Sequence, residues 1–311
     1  MNKAIILAAG KGTRMKSDLF KVMHKIGNRE MVLRVLDTLD ALKVDEKIVV
    51  LAPQMEKVKA LVQPIKTALQ PQALGTANAA QAALKDMDAF DGACLILFAD
   101  HPLFLPSTFA NMIDKCNAGT DVVVLGFTPK DPARYGRLLM GQDGLQAIIE
   151  YKDASEKQRA IKLCNSGAMC VNGRYLKHLL AEVDNHNAAG EYYLTDIVKI
   201  AKSKGLRVDV VLAQDEHEVQ GVNSRTELAA AEQVFQKRKR AEAYAAGVTL
   251  QDAATTYFSF DTTFENDVVI EPCVYFGVGV HLKKGAHIKA FSRLENVTIG
   301  AERSDDEKEK L

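Results

Sequence analysis

The sequence predicts an α/β fold, a mainly parallel and doubly covered sheet, followed by a long helix and a short β-solenoid. Three observations predict it. Short aliphatic or β-branched runs recur at 3–8, 47–51, 93–99, 121–127 and 207–212, with helically spaced segments between several of them. A stretch rich in Ala, Glu, Gln, Lys and Arg covers 224–246. Beyond it Phe258, Phe264, Ile270, Phe276, Leu282, Ile288 and Leu294 fall six residues apart without a break.

The first block, 1–223, alternates strand and helix. Met31, Val32, Val35, Leu36, Leu39 and Leu42 put apolar side chains on one helical stripe, and 77–84 is rich in strong helix formers. Strands separated by helices require crossovers, and crossovers give parallel pairing with both sheet faces covered. The second block, 224–247, opens on Ser224 as an N-cap and reads as a single helix leading out of the first domain. Its basic run Lys237–Arg240 is flanked by Glu232 and Glu242 and reads as a solvated face rather than a nucleic-acid site. The third block, 248–300, has a period that belongs to neither helix nor ordinary strand. It suits a solenoid whose coils stack through one fixed position, with Gly277, Gly279 and Gly285 near turns. The last block, 301–311, is wholly polar and reads as a frayed tail.

Composition narrows the function classes. With 47% hydrophobic and 26% charged residues, the 311-residue chain can bury a substantial core. Forty cationic residues balance forty acidic ones, so no net field draws it to nucleic acid or to a membrane, and an anionic ligand must be held locally. The apolar run 4–9 is too short for a membrane span and lacks a signal-peptide cleavage region. Five cysteines with no CxxC pair fit a reduced, cytoplasmic protein.

The chemistry begins at the N-terminus. Residues 5–15, IILAAGKGTRM, form an apolar run that breaks into a small-residue loop carrying cations. Glycines let backbone approach phosphate oxygens, N–H groups donate to them, and Lys or Arg neutralises charge, which is what a triphosphate needs. The spacing is neither that of a Walker A loop nor that of a dinucleotide fingerprint. A carboxylate, Asp100, follows the apolar run 94–98; at the carboxyl end of a parallel strand it points into the ligand crevice of an open α/β sheet, and a hard oxygen there suits Mg²⁺.

LAAGKGTRM, followed by Lys21 after a short gap, resembles the signature of the sugar nucleotidyltransferases, LAAGxGTRM and then PK. Phe20 stands where that signature has Pro, which bears on the stiffness of the loop. The later strings Gln70 with Leu74-Gly75-Thr76-Ala77, Phe98-Ala99-Asp100-His101-Pro102-Leu103, Arg134-Tyr135-Gly136-Arg137, Glu150-Tyr151-Lys152, Asn165-Ser166-Gly167, the run 190–196 (GEYYLTD) and Gly221-Val222-Asn223 come in order. They are similar to the bacterial N-acetylglucosamine-1-phosphate uridyltransferase family. Around Asp100 that family reads Tyr-Gly-Asp-Val-Pro-Leu, so Phe98, Ala99 and His101 depart from it; Ala99 adds a methyl group that would crowd the nucleotide sugar, and His101 reads as an incidental surface residue.

The resemblance implies a Rossmann-like nucleotidyltransferase domain and a left-handed β-helix of hexapeptide repeats, cut short, that packs as a homotrimer. It implies Mg²⁺-assisted transfer from UTP to N-acetylglucosamine 1-phosphate without acetyl transfer. By position, Leu7, Ala8, Ala9, Gly10, Gly12, Thr13, Lys21, Gln70, Gly75, Thr76, Phe98 and Ala99 would meet the nucleotide. Gly136, Glu150, Asn165, Tyr193, Thr195 and Asn223 would meet the sugar; Arg14, Lys21 and Asp100 would carry catalysis, and Asp100 with Asn223 would hold the metal. Two rivals remain: a nucleotidyltransferase for another sugar or nucleotide, and a non-catalytic nucleotide-binding module.

Overall fold

A computed structural model describes residues 1–300; the polar tail expected at 301–311 lies outside the described residues. The chain forms two compact units, one from 1–24 with 31–224, the other from 25–30 with the residues from Arg225 onward.

In chain order the elements are β1 (Lys3–Leu7), the hairpin strands β2 (Lys25–Ile26) and β3 (Arg29–Glu30), α1 (Met31–Ala41), β4 (Glu46–Leu51), α2 (Glu56–Leu61), β5 (Lys66–Leu69), α3 (Thr76–Leu84), β6 (Ala93–Phe98), α4 (Pro106–Asn117), β7 (Val122–Phe127), β8 (Arg137–Gly141), β9 (Gly144–Ile149), α5 (Glu156–Arg159), β10 (Cys164–Asn172), α6 (Gly173–Ala181), α7 (Asp196–Ser203), β11 (Val208–Leu212) and α8 (Arg225–Ala245).

The first unit is built on one sheet with the order β11-β7-β10-β6-β1-β4-β5, to which the hairpin β8–β9 is attached. All neighbours along that order are parallel except β10, which runs against both β6 and β7. The expected α/β class with a mainly parallel sheet is therefore present. Alternate residues of each strand enter opposite cores. On one face Ile6, Val49, Leu97, Val123 and Cys170 pack with α1, α2 and α4; on the other Ile5, Val50, Ile96, Val124 and Met169 pack with α3, α6 and α7. Between Asn165 and Met169 the register of β10 against β7 shifts through a bulge.

Two features of the topology place a ligand crevice. The chain leaves β1 toward β4 and β5 on one side, then returns to β6 on the other, so the loops after β1 and β6 part from neighbouring strands. This is the switch point at which open α/β sheets bind ligands. Leu7 and Phe98 are register partners there.

The second unit contains α8 and three short parallel sheets. Pairs such as Ile270↔Ile288, Phe264↔Leu282 and Phe276↔Leu294 join residues 18 apart, three six-residue steps. Phe258, Ile270, Phe276, Leu282 and Ile288 are buried, and Phe264 and Leu294 pack against them. A second buried column, two residues earlier in every repeat but the last, consists of Thr256, Thr262, Val268, Val274, Val280 and Ala286. The corners recur in the same period, because Asp267, Cys273, Gly279, Gly285 and Phe291 all have φ between 60° and 73°.

The basic run on α8 is not simply a solvated face. Lys239 is buried, donating to the Thr262 carbonyl at 2.8 Å and to Glu242, and the Arg240 guanidinium reaches the Thr256 carbonyl at 3.0 Å. These cations satisfy carbonyls that the first coil leaves unpaired. Gln236 does the same with both backbone groups of Phe258. The hairpin β2–β3 joins this unit because the Gly27 amide donates to Glu232 at 2.8 Å and its carbonyl accepts from the Phe260 amide.

Candidate active site

The loop after β1 turns tightly so that Lys21 can come back across it. Gly12 has φ 63°, and a Cβ there would lie 2.6 Å from the Lys21 Cβ, so the close pass of Lys21 requires glycine at this position. Phe20 has φ −57°, inside the range that proline fixes. The conformation that Pro would impose is kept here by packing of the Phe20 ring against the core.

Asp100 follows β6, and its carbonyl accepts from the Val222 amide at 2.8 Å. That bond brings Gly221-Val222-Asn223 beside the end of β6. The Lys21 ammonium then donates to Asp100 Oδ2 and, at 2.9 Å, to Asn223 Oδ1. Two side-chain oxygens from distant parts of the chain thus converge on one positive charge. Among the described residues no group of three or more His, Cys, Asp or Glu side chains could hold a metal ion. The donor set is instead one carboxylate and one amide oxygen, which fits Mg²⁺, an ion that takes few protein ligands and completes its shell with phosphates and water.

Next to this triad lies a cavity of about 300 Å³ lined by Leu7, Ala8, Ala9, Gly10, Lys21, Gln70, Gly75, Thr76, Phe98 and Asp100, together with Val22, Ala73, Ala79 and Glu191. Gly75 has φ 121°, and a Cβ on it would lie 2.5 Å from the Tyr192 carbonyl oxygen. The close approach is locked by the Ala77 amide donating to the Tyr192 carbonyl and the Tyr192 amide donating to the Leu74 carbonyl. The Gln70 amide nitrogen is already engaged by the Gly75 carbonyl at 3.1 Å and Asn78 Oδ1 at 2.9 Å.

A second cavity, about 370 Å³, shares Thr76, Phe98, Asp100 and Glu191 with the first and adds Gly136, Glu150, Asn165, Tyr193, Thr195, Arg134, Tyr135 and His101 among its lining. Thr195 donates to Glu150 at 3.2 Å, the Asn165 backbone N–H donates to the Gly136 carbonyl at 2.8 Å, and the Asn165 side-chain Oδ1 accepts from the Gly167 amide at 3.0 Å. Burial pushes the Glu150 carboxyl above the usual carboxylate range, against the opposing pull of the Thr195 hydrogen bond. A carboxylate, an amide and two hydroxyls facing an open volume are the groups that fix sugar hydroxyls.

The structure thus brings most of the expected residues to two adjoining cavities and leaves several outside their linings. Arg14 and Thr13 are exposed in the turn Thr13–Met15, and Gly12 serves the passage of Lys21. Asn223 joins through its bond to Lys21. Ala99 lines neither cavity: its methyl is fully buried in the core shared with α1 and α4, so it does not crowd the crevice.

His101 is not a surface residue. Its ring stacks on Phe104 at 5.5 Å and tilts against Phe98 at 5.7 Å, and its Nε2 lies 3.7 Å from Asp100 Oδ1. Burial holds the imidazole below the ordinary histidine range, although Asp100 pulls the other way. Glu191, on the wall between the cavities, also escaped the sequence reading of the site. Its place in the string 190–196 was the only available signal.

Residues 4–162 match the family model for the MobA-like NTP transferase domain. The chain is 46% identical over 299 residues to the bifunctional protein GlmU of Paramagnetospirillum magneticum, a match covering 96% of this chain and 66% of that protein. It is 50% identical over 300 residues to that of Rhodospirillum rubrum, covering 96% and 67%. With the Gluconobacter oxydans protein it shares 45% over 298 residues, covering 96% and 66%. The chain spans about two thirds of the length of these curated relatives. No helix among the described residues is long and apolar enough to cross a membrane.

Proposed function

The chain belongs to the GlmU family and carries its NTP transferase domain; from that premise we propose that it transfers UMP from UTP to N-acetylglucosamine 1-phosphate and releases pyrophosphate. The observation that carries the reading is the convergence of Asp100 and Asn223 on Lys21 beside a glycine-lined cavity that shares Thr76, Phe98, Asp100 and Glu191 with a second one.

In this reading the nucleotide lies in the first cavity, with its phosphates along Ala8–Gly10 and Lys21, and its base toward Gln70, Gly75 and Thr76. The sugar 1-phosphate lies in the second, its hydroxyls and acetamido group facing Gly136, Glu150, Asn165, Tyr193 and Thr195. A phosphate oxygen of the sugar 1-phosphate attacks the α-phosphorus of UTP in line, and the bond from that phosphorus to the bridging oxygen of pyrophosphate breaks. Mg²⁺, held by Asp100 and Asn223, supplies positive charge to phosphate oxygens when bound. Lys21 stabilises charge growing at the α-phosphate, and Arg14 holds the departing pyrophosphate by reaching in from its exposed turn. The catalytic load is positioning and charge neutralisation rather than covalent chemistry.

The six-residue coils are read as left-handed and as the contact face of a homotrimer, and acetyl transfer is not assigned to this polypeptide. Pyrophosphate release measured with UTP, dTTP, GTP or CTP, each with several sugar 1-phosphates, tests the assignment. Release confined to UTP with N-acetylglucosamine 1-phosphate is expected. Nucleotide binding without release would replace the reading with a non-catalytic module, and preference for another pair would replace the substrates.

A further inference from the structure

The χ2 torsion of an aspartate is broad, so an Asp that must present one oxygen to a cation needs a neighbour that fixes the plane of its carboxylate. Oδ2 of Asp100 takes the Lys21 ammonium, and Lys21 also takes Asn223 Oδ1. On the other side of the carboxylate, Oδ1 faces His101 Nε2 at 3.7 Å. That is longer than a hydrogen bond, but a ring nitrogen at this distance still interacts electrostatically with the carboxylate, and the ring occupies the space beside it.

The ring itself has little freedom. Phe104 stacks on one face and Phe98 tilts against it. The backbone at Gly221 comes so close that a Cβ there would lie 2.7 Å from Nε2. Gly221 precedes Asn223 by two residues, and the bond from the Val222 amide to the Asp100 carbonyl ties the segments together. His101 therefore fills the space between the two segments whose oxygens converge.

We propose that His101 is a positioning residue, which holds the Asp100 carboxylate in the plane that lets Oδ2 and Asn223 Oδ1 share one cation. The inference rests on the reaction proposed above. It predicts a dissociation between two substitutions. His101→Phe keeps the stacked ring and loses the donor; His101→Gln loses the ring and keeps a donor nitrogen at about the same reach.

The measurement is binding of Mn²⁺ to the protein saturated with UTP, followed by electron paramagnetic resonance, together with kcat and KM. The Phe variant is expected to bind Mn²⁺ about tenfold more weakly, with kcat lowered and KM for the sugar phosphate unchanged. The Gln variant should stay within about threefold of the parent. A Phe variant that binds Mn²⁺ as the parent does, or a Gln variant as weak as Phe, overturns the role and leaves His101 as packing only. Absence of pyrophosphate release by the parent would instead count against the reaction, while the Mn²⁺ titration would still report on His101.

Discussion

Asp100 and Asn223 present oxygens to the same ammonium group, that of Lys21. Lys21 is half of that arrangement in one sense and its occupant in another: it neutralises the oxygens while leaning over the bed formed by Ala8–Gly10. A group that holds charge in this way is felt mainly when charge grows during reaction.

Accordingly, Asp100→Asn and Lys21→Ala should each lower kcat about a hundredfold or more, the equivalent of about 3 kcal/mol in the barrier. Far-ultraviolet circular dichroism should be unchanged in both. Parental turnover by either purified variant would remove the residue from the mechanism.

Glu150 gives a pH signature. Burial raises its pKa in the folded protein, so the folded state keeps this proton at a pH where the unfolded chain has lost it. The resulting contribution is fully present below the unfolded pKa and is lost as pH rises through the raised one. Glu150→Gln should therefore gain melting temperature relative to the parent as pH climbs through that window. It should also abolish the fall in sugar-phosphate affinity expected when the parent is acidified through the same window. A difference in melting temperature that stays flat with pH would contradict the assignment.

Gly75 and Gly190 form a matched pair. Both have positive φ, but a Cβ at Gly75 meets the Tyr192 carbonyl oxygen at 2.5 Å, whereas nothing lies within 4 Å of one at Gly190. Gly190→Ala should cost about 1 kcal/mol of stability, the strain of the conformation alone. Gly75→Ala should cost about 2–3 kcal/mol and weaken UTP binding, because the backbone of 192 must move. Denaturant melts and a nucleotide titration would separate them, and equal losses would be inconsistent with the contact.

In the solenoid, the corner residue Phe291 has φ 61° and is 82% exposed, so it adopts a strained conformation without packing return. Phe291→Gly is expected to stabilise the protein by up to about 1 kcal/mol, the left-handed penalty less the entropy of glycine. Asp267→Gly, at an equivalent corner, should gain less because aspartate tolerates this conformation better. Chemical denaturation read in the solenoid unit provides the comparison.

The sequence was most legible where one physical requirement repeats. The aliphatic runs that became β1, β6 and β7, and the Ile48–Leu51 half of β4, are buried on both faces, so nearly every position is apolar; β11 at the sheet edge is only partly buried, and the six-residue column in 258–294 follows from stacking. The strands that escaped notice have weaker patterns: β5 is only Lys66–Leu69, and β8–β9 form a partly exposed hairpin. In β10, Asn165, Ser166 and Gly167 interrupt the apolar alternation because that segment faces a cavity. The hairpin 25–30 gives no local sign that its partners lie beyond Arg225, since the bond between Gly27 and Glu232 is long-range. At the site, residue type and strand-end position pointed to Asp100, and the family resemblance to Lys21 and Asn223. Nothing along the chain disclosed that His101 is enclosed by aromatic rings, because enclosure depends on what the fold brings from elsewhere.

The irregularity in β10 has a numerical side. Asn165 pairs with Gly126 while Met169 pairs with Val124, so three residues of β10 span one residue of β7 and the excess is two. Two is even, and side chains alternate with period two, so Cys164 and Cys170 stay in the same core while Met169 and Val171 stay in the other. Removing a single residue between 165 and 169 would exchange those assignments along the remainder of the strand and send Met169 and Cys170 to each other's side. Removing two would restore an unbroken ladder with every apolar side chain still correctly directed, at the sole expense of the wall that Ser166 and Gly167 give the second cavity. Parity thus lets this strand gain or lose its bulged, cavity-lining segment without renegotiating its place in the sheet.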